Sequence, residues 1–167
     1  MSQLPHYKTI LYVTDLGTHT RPVFKHALSL AQAYQANVVM LHVVEPLGTA
    51  VEAVLSTYLP QDVLERVEHD GLKKIIERMR KRLETFRAEE RELADVEEQL
   101  VSDVAVVHGR PDEEIMEQAH KYHADLIVIG STTGGHHLLG TTARRITQVS
   151  TIPVLIIPNS DGDTLAK

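Results

Sequence analysis

The 167-residue chain has no cysteine, so disulfides and thiol chemistry are excluded. It has no apolar run approaching the ~18–20 residues that a membrane-crossing helix needs. Its opening, MSQLPHYKT, lacks the apolar core of a signal peptide. A cytoplasmic location without membrane attachment is therefore expected. Positive charge is not in excess: 17 Lys and Arg stand against 23 Asp and Glu, a formal net charge of −6, and the pI is near 5.9. That balance argues against nucleic acid or an anionic membrane as a general partner. No lysine follows a glycine-rich loop in the Walker manner, and neither a Ser-His-Asp order nor paired carboxylates point to catalysis. An enzyme is not expected, a slow ATPase being the enzymatic alternative. Internal repeats and linkers are missing too. Residues 1–167 therefore read as one domain, long enough to bury a substantial core.

What the chain does contain is an alternation of short apolar runs and amphipathic stretches. Residues 8–14 (KTILYVT), Asn37–Val44 (NVVMLHVV), 100–107 (LVSDVAVV), 126–129 (LIVI) and 154–157 (VLII) read as strands. The continuous apolar character of several of them is expected of strands covered on both faces. Between the first two, Val23, Ala27, Leu28, Leu30, Ala31 and Tyr34 share one helical face. Pro22 fits that helix's first turn, and Thr18 or Thr20 its cap. Strand, helix, strand implies a right-handed parallel crossover. Residues 45–60 read as a loop with a short helical turn. Over 62–98, charges of both signs surround Leu72, Ile76, Met79, Leu83 and Phe86 at 4-3-4-3 spacing. That spacing predicts one long amphipathic helix lying on the sheet, coiled-coil contact with a partner being the alternative. Pro111 followed by Asp112, Glu113 and Glu114 opens another helix, with Ile115, Met116, Ala119 and Tyr122 as its buried face. Residues 159–167 read as a frayed tail.

The most informative stretch is 125–158: DLIVIG, STTGGHHLLGTTARRITQVS, TIPVLIIP. It reads as strand, glycine-rich turn, helix, strand. Gly130 ends the first strand, and Gly134, Gly135 and Gly140 keep the loop free of bulk, so that backbone amides can approach a ligand. Thr141 and Thr142 sit where a helix starts, as caps or as hydroxyl donors to an anion. Together with YKTILYVTD, NVVMLHVVEP and HGRPDEEIMEQA, in that order, this stretch resembles the universal stress protein family over residues 7–158.

The resemblance implies an α/β fold: a doubly wound, five-stranded parallel sheet of order 3-2-1-4-5 with helices on both faces. It also implies a cytoplasmic homodimer and, in some members, a bound adenine nucleotide (ATP, ADP or AMP), with Mg only as the nucleotide's companion. In such a sheet strands one and four meet at the switch point, and ligands bind outside their carboxyl ends. Asp15 ends strand one there and Gly130 ends strand four. By resemblance, Asp15 matches the acidic position near adenine or ribose, and Val38 a strand-two position whose backbone contacts adenine. Gly130 matches the floor of the site; Gly140 and Thr141 match the final Gly-Ser/Thr that holds phosphate oxygens, with Gly134 and Thr142 beside them. Nucleotide-binding members space their glycines as Gly, two residues, Gly, nine residues, Gly-Ser/Thr. Here Gly140 follows Gly130 by ten positions where that pattern has thirteen, so fewer loop amides are expected to reach a β- or γ-phosphate. The alternatives are a nucleotide-independent protein acting through dimerisation and protein partners, with Asp15 a strand-end cap and the glycines turn formers.

Ten histidines raise the question of a metal. His136 and His137 are adjacent, which is poor chelating geometry. His120 and His123 sit at i, i+3 on one helix without an evident third ligand, so no metal site is expected. His42 reads as a hydrogen-bonded core residue. His136 and His137 are expected in the loop over the crevice, where protonation near pH 6.5 strengthens anion binding. Of Arg144 and Arg145, one reaches a phosphate or both are surface charges. Val154, Leu155, Ile156 and Ile157 form the expected sheet edge, and with it the homodimer surface.

Overall fold

Each of the five apolar runs becomes a strand: β1 (Thr9–Val13), β2 (Asn37–Val44), β3 (Val101–His108), β4 (Leu126–Thr132) and β5 (Val154–Asn159). They form one sheet in the order β3-β2-β1-β4-β5, and every neighbouring pair is parallel. The computed structural model describes residues 4–16, 20–46, 48–89, 95, 98–132 and 140–159. Thr18, Gly134, Gly135, His136, His137 and the tail after Asn159 lie outside the described residues. Helices α1 (Arg21–Tyr34), α2 (Thr49–Tyr58), α3 (Gln61–Glu89), α4 (Pro111–Lys121) and α5 (Thr141–Val149) connect the strands.

The central strands β1, β2 and β4 are largely apolar on both sides because the sheet has a core on each face. Side chains alternate across a strand. Ile10 and Tyr12 of β1, with Val38 and Met40 of β2, pack against α1 and Met79 of α3. Leu11 and Val13, with Val39 and Leu41, pack against α4 and α5. The predicted face of α1 is buried at Val23, Phe24, Ala27, Leu28 and Ala31, with Leu30 and Tyr34 at its margin. Thr20 does occupy the N-cap position, but its side chain makes no capping bond. Its Oγ1 instead accepts from the Arg82 guanidinium at 3.3 Å.

Two readings of the sequence change. Residues 45–60 hold a ten-residue helix, α2, not a loop with one turn. None of its residues is buried, and Val51, Val54 and Tyr58 are exposed. A helix that buries no stripe leaves no periodic signal, which is why it escaped the sequence reading. Gly130 does not end its strand: β4 runs on to Thr132, pairing Gly130 with Ile157, Ser131 with Pro158 and Thr132 with Asn159. Pro158 is tolerated inside β5 because β5 is an edge. The long helix begins as predicted and α3 spans 29 residues. Met79 is fully buried and Leu72 and Ile76 are half-buried. The side chains of Leu83 and Phe86, and most of the span from Glu90 to Glu98, lie outside those described.

Two polar contacts explain residues that interrupt the apolar pattern. Asp103 in β3 accepts a 2.7 Å hydrogen bond from the Tyr122 hydroxyl, tying the end of α4 to the sheet. That bond, with some burial, pushes the Tyr122 pKa up to about 12. Asp125, just before β4, accepts from the backbone amides of Lys8 (2.7 Å) and Thr9 (3.0 Å), while its own amide donates to the Thr9 carbonyl (2.8 Å). The start of β4 is thereby locked to the start of β1. This fixes the register that runs from Ile10 opposite Leu126 to Val13 opposite Ile129.

Candidate functional site

That register brings the carboxyl ends of β1 and β4 level at the centre of the sheet. From there the chain leaves β1 toward α1 on one face and β4 toward α5 on the other. The divergence opens a crevice, as it does at the switch point of any doubly wound sheet. Its volume is about 300 Å³. Residues 12–15 form one wall; His42, Val43 and Glu45 come from the end of β2; Gly130 lies on the floor. Pro111 and Ile115 of α4 and residues 140–143 at the start of α5 close the far side.

Asp15, Gly130, Gly140, Thr141 and Thr142 all line this crevice. Gly134 lies outside the described residues. Val38 is not part of it: it is fully buried, opposite Ile10 and Val101 at the beginning of β2. Since parallel strands present their carboxyl ends to the crevice, the β2 residues that reach it are His42 and Val43. The roles of the threonines also shift. Gly140 is the N-cap of α5, with φ −59° and ψ 157°, and Thr141 and Thr142 are the first helical residues. They do not cap the helix. They bring to the crevice the first-turn amides, which have no partner within a helix, and two hydroxyls.

His42 lines the crevice, a position that the sequence reading missed. It is half-buried, so it is not a core residue. Its Nδ1 lies 2.8 Å from the Thr14 carbonyl oxygen. A carbonyl only accepts, so Nδ1 carries a hydrogen and the neutral ring keeps Nε2 as an acceptor. The signal was positional: His42 comes near the carboxyl end of β2, where a parallel sheet meets ligands.

The wall is stiff. Tyr12 is buried and donates to the Thr20 carbonyl at 3.3 Å; burial pushes its pKa up to about 12, so it stays a neutral donor. The buried Thr14 accepts from the Leu16 amide at 3.1 Å, which closes a tight turn at Leu16, φ 61°. Leucine rarely adopts that left-handed conformation, and such strain concentrates at functional sites. The turn leaves Asp15 exposed at the crevice. Among the described lining residues are two carboxylates, Asp15 and Glu45, and no lysine or arginine. Arg144 and Arg145 are exposed on α5 and do not line the crevice. Among the described residues no three His, Asp or Glu side chains are grouped to hold a metal ion. His123 lies beyond the end of α4 in a left-handed conformation, φ 51°, so it does not share a helix with His120.

Comparison with known proteins bears on the family and the fold. The family model described as universal stress protein family matches residues 6–158. The universal stress protein MJ0577 of Methanocaldococcus jannaschii is 29% identical over 163 residues, covering 93% of this chain and 98% of its own length. A universal stress protein of Thermus aquaticus is 31% identical over 155 residues, covering 90% of this chain and 98% of its own. The solved structure of MJ0577 superposes with a TM-score of 0.66 at 24% identity, over 93% of this chain and 99% of that one. A universal stress protein solved in complex with cAMP superposes at 0.52 with 20% identity, over 93% and 99% of the two chains.

Proposed function

The chain belongs to the universal stress protein family, and on that premise we propose that it is a regulatory protein that binds an adenine nucleotide at the β1/β4 crevice. The observation that carries this reading is the convergence of Asp15, Gly130 and residues 140–142 on one cavity of about 300 Å³, a size within the usual range for small-molecule sites. The Asp15 carboxylate is the acceptor for a ribose hydroxyl or the adenine amino group. His42 and Val43 flank the base. The amides and hydroxyls of Thr141 and Thr142 receive phosphate oxygens, as helix N-termini do. That the fold accommodates an adenine nucleotide is supported by the relative solved with cAMP. Magnesium enters only with the nucleotide's phosphates.

Phosphate chain length tests the reading. No lysine or arginine is among the described lining residues, and the glycine loop is three residues short of the family's nucleotide-binding pattern. A β- or γ-phosphate therefore gains little. AMP, ADP and ATP are expected to bind within about tenfold of one another by titration calorimetry, a spread of ~1.4 kcal/mol. ATP binding far tighter than AMP would contradict this arrangement.

The protein is further proposed to form a homodimer through β5. This strand is hydrogen-bonded to β4 alone in the sheet order, and an open apolar edge favours pairing with a second copy. Leu155 and Ile157 pack into the α1-side core and Val154 and Ile156 into the other. Charged substitutions there would disturb the fold. Cysteine is the gentler probe, and the wild-type chain has none. In an antiparallel two-fold pairing, Leu155→Cys or Ile156→Cys should yield a covalent dimer on mild oxidation. Monomers from both variants would exclude this edge.

A further inference from the structure

A second cavity, of about 340 Å³, opens on the α1–α3 side of the sheet. It shares Tyr12, Thr14 and Thr20 with the crevice, but its chemistry is the opposite. Arg21, the first residue of α1, and Arg78, Lys81 and Arg82 of α3 line it, and no Asp or Glu is among its described lining residues. In a chain with a net charge of −6, composition alone would not put four cations around one recess.

Helical spacing gathers them. Arg78, Lys81, Arg82 and Thr85 fall at i, i+3, i+4 and i+7 and so share one face of α3. Like charges at those spacings repel; Glu77 and Glu84, at i−4 and i+3 from Lys81, offset part of that repulsion on the helix itself, and an anion in the recess would be attracted by all four cations. The site is partly organised in advance: Arg82 is half-buried and donates to Thr20 Oγ1 at 3.3 Å. Phe24 and Met40 give the recess an apolar floor, and a low local dielectric strengthens any ion pair formed against it. Guanidinium groups match phosphate oxygens in paired hydrogen bonds. Glu77 and Glu84 stand exposed nearby on α3, which favours a compact anion inside the recess over an extended polyanion laid across the surface.

We propose that this cationic pocket is a second ligand site, distinct from the crevice, for a small phosphate-bearing molecule with two or more negative charges. Tyr12 and Thr20 form the partition between the two sites. Asp15 on the crevice side and Arg82 on the pocket side act on the Tyr12 hydroxyl in opposite senses, so the two cavities are electrostatic neighbours. The proposal does not depend on what the crevice binds.

Inorganic pyrophosphate is the probe, titrated calorimetrically into the full chain at fixed ionic strength. The wild type is expected to bind it. Arg78→Ser with Lys81→Ser, both exposed positions, should weaken binding at least tenfold. Lys73→Ser with Arg80→Ser removes the same charge from residues that do not line the pocket and should change it less than twofold. Gly140→Val, which fills the crevice, should leave pyrophosphate binding intact. The proposal is overturned if the wild type does not bind, if the two double variants behave alike, or if Gly140→Val removes pyrophosphate binding. Adenine nucleotide titrated into the same variants reports on the crevice separately, where Gly140→Val is the variant that should fail.

Discussion

Gly140→Val should lower the affinity for AMP, ADP and ATP roughly a hundredfold, about 2.7 kcal/mol, and leave the fold intact. Gly140 has φ −59° and ψ 157°, a region open to every residue, so valine causes no backbone strain. The cost falls on the site. A branched side chain would stand at the crevice edge beside the first-turn amides of Thr141 and Thr142 and would hold a phosphate away from them. Each hydrogen bond to a charged group contributes ~1.5–3 kcal/mol, so losing one or two accounts for the effect. Calorimetric titration reads the affinity, and an unchanged circular dichroism spectrum shows that the fold is retained. Undiminished nucleotide binding in the folded variant would remove residues 140–142 from the site.

The second large effect is expected far from the crevice. Asp125→Ala should destabilise the protein by ~1–3 kcal/mol, since the amides of Lys8 and Thr9 lose their shared acceptor. For a domain of this size, that corresponds to a drop in melting temperature of roughly 3–10 °C. Asp125→Asn keeps one acceptor oxygen in place and should recover part of the loss. Because the contact sets β1 against β4 at the end opposite the crevice, the alanine variant should also bind nucleotide more weakly. Equal melting temperatures for wild type and Asp125→Ala would show that the backbone pairing alone holds this register.

Residues whose chemistry is repeated along an element were legible in the sequence. The five strands and the buried stripe of α1 follow from apolar runs and helical spacing, and the strand order 3-2-1-4-5 followed from the family resemblance. Asp15 and Gly130 could be brought together from the sequence, because a doubly wound sheet aligns the carboxyl ends of strands one and four; Gly140 was added by the family resemblance. Features set by single contacts were not legible. Asp125 reads as a strand-opening polar residue until its carboxylate is seen to meet amides more than a hundred residues away. His42 looks like a core residue because its neighbours are apolar, yet its place near the end of β2 puts it on the crevice. Val38 failed for the converse reason: transferred as a strand-two contact, it sits at the wrong end of that strand. The helix α2 left no trace, since it buries none of its residues. The cationic face of α3 is hidden in a run of mixed charge, and only the proximity of Arg21 and Thr20 makes a pocket of it.

Mass spectrometry of the small molecules released when the purified protein is denatured tests nucleotide binding at the crevice most directly. An adenine nucleotide should be recovered in near-stoichiometric amount from the wild type and should be missing from Gly140→Val purified in parallel. Wild-type protein that releases no adenine nucleotide, and takes up none when AMP, ADP or ATP is added, would contradict it.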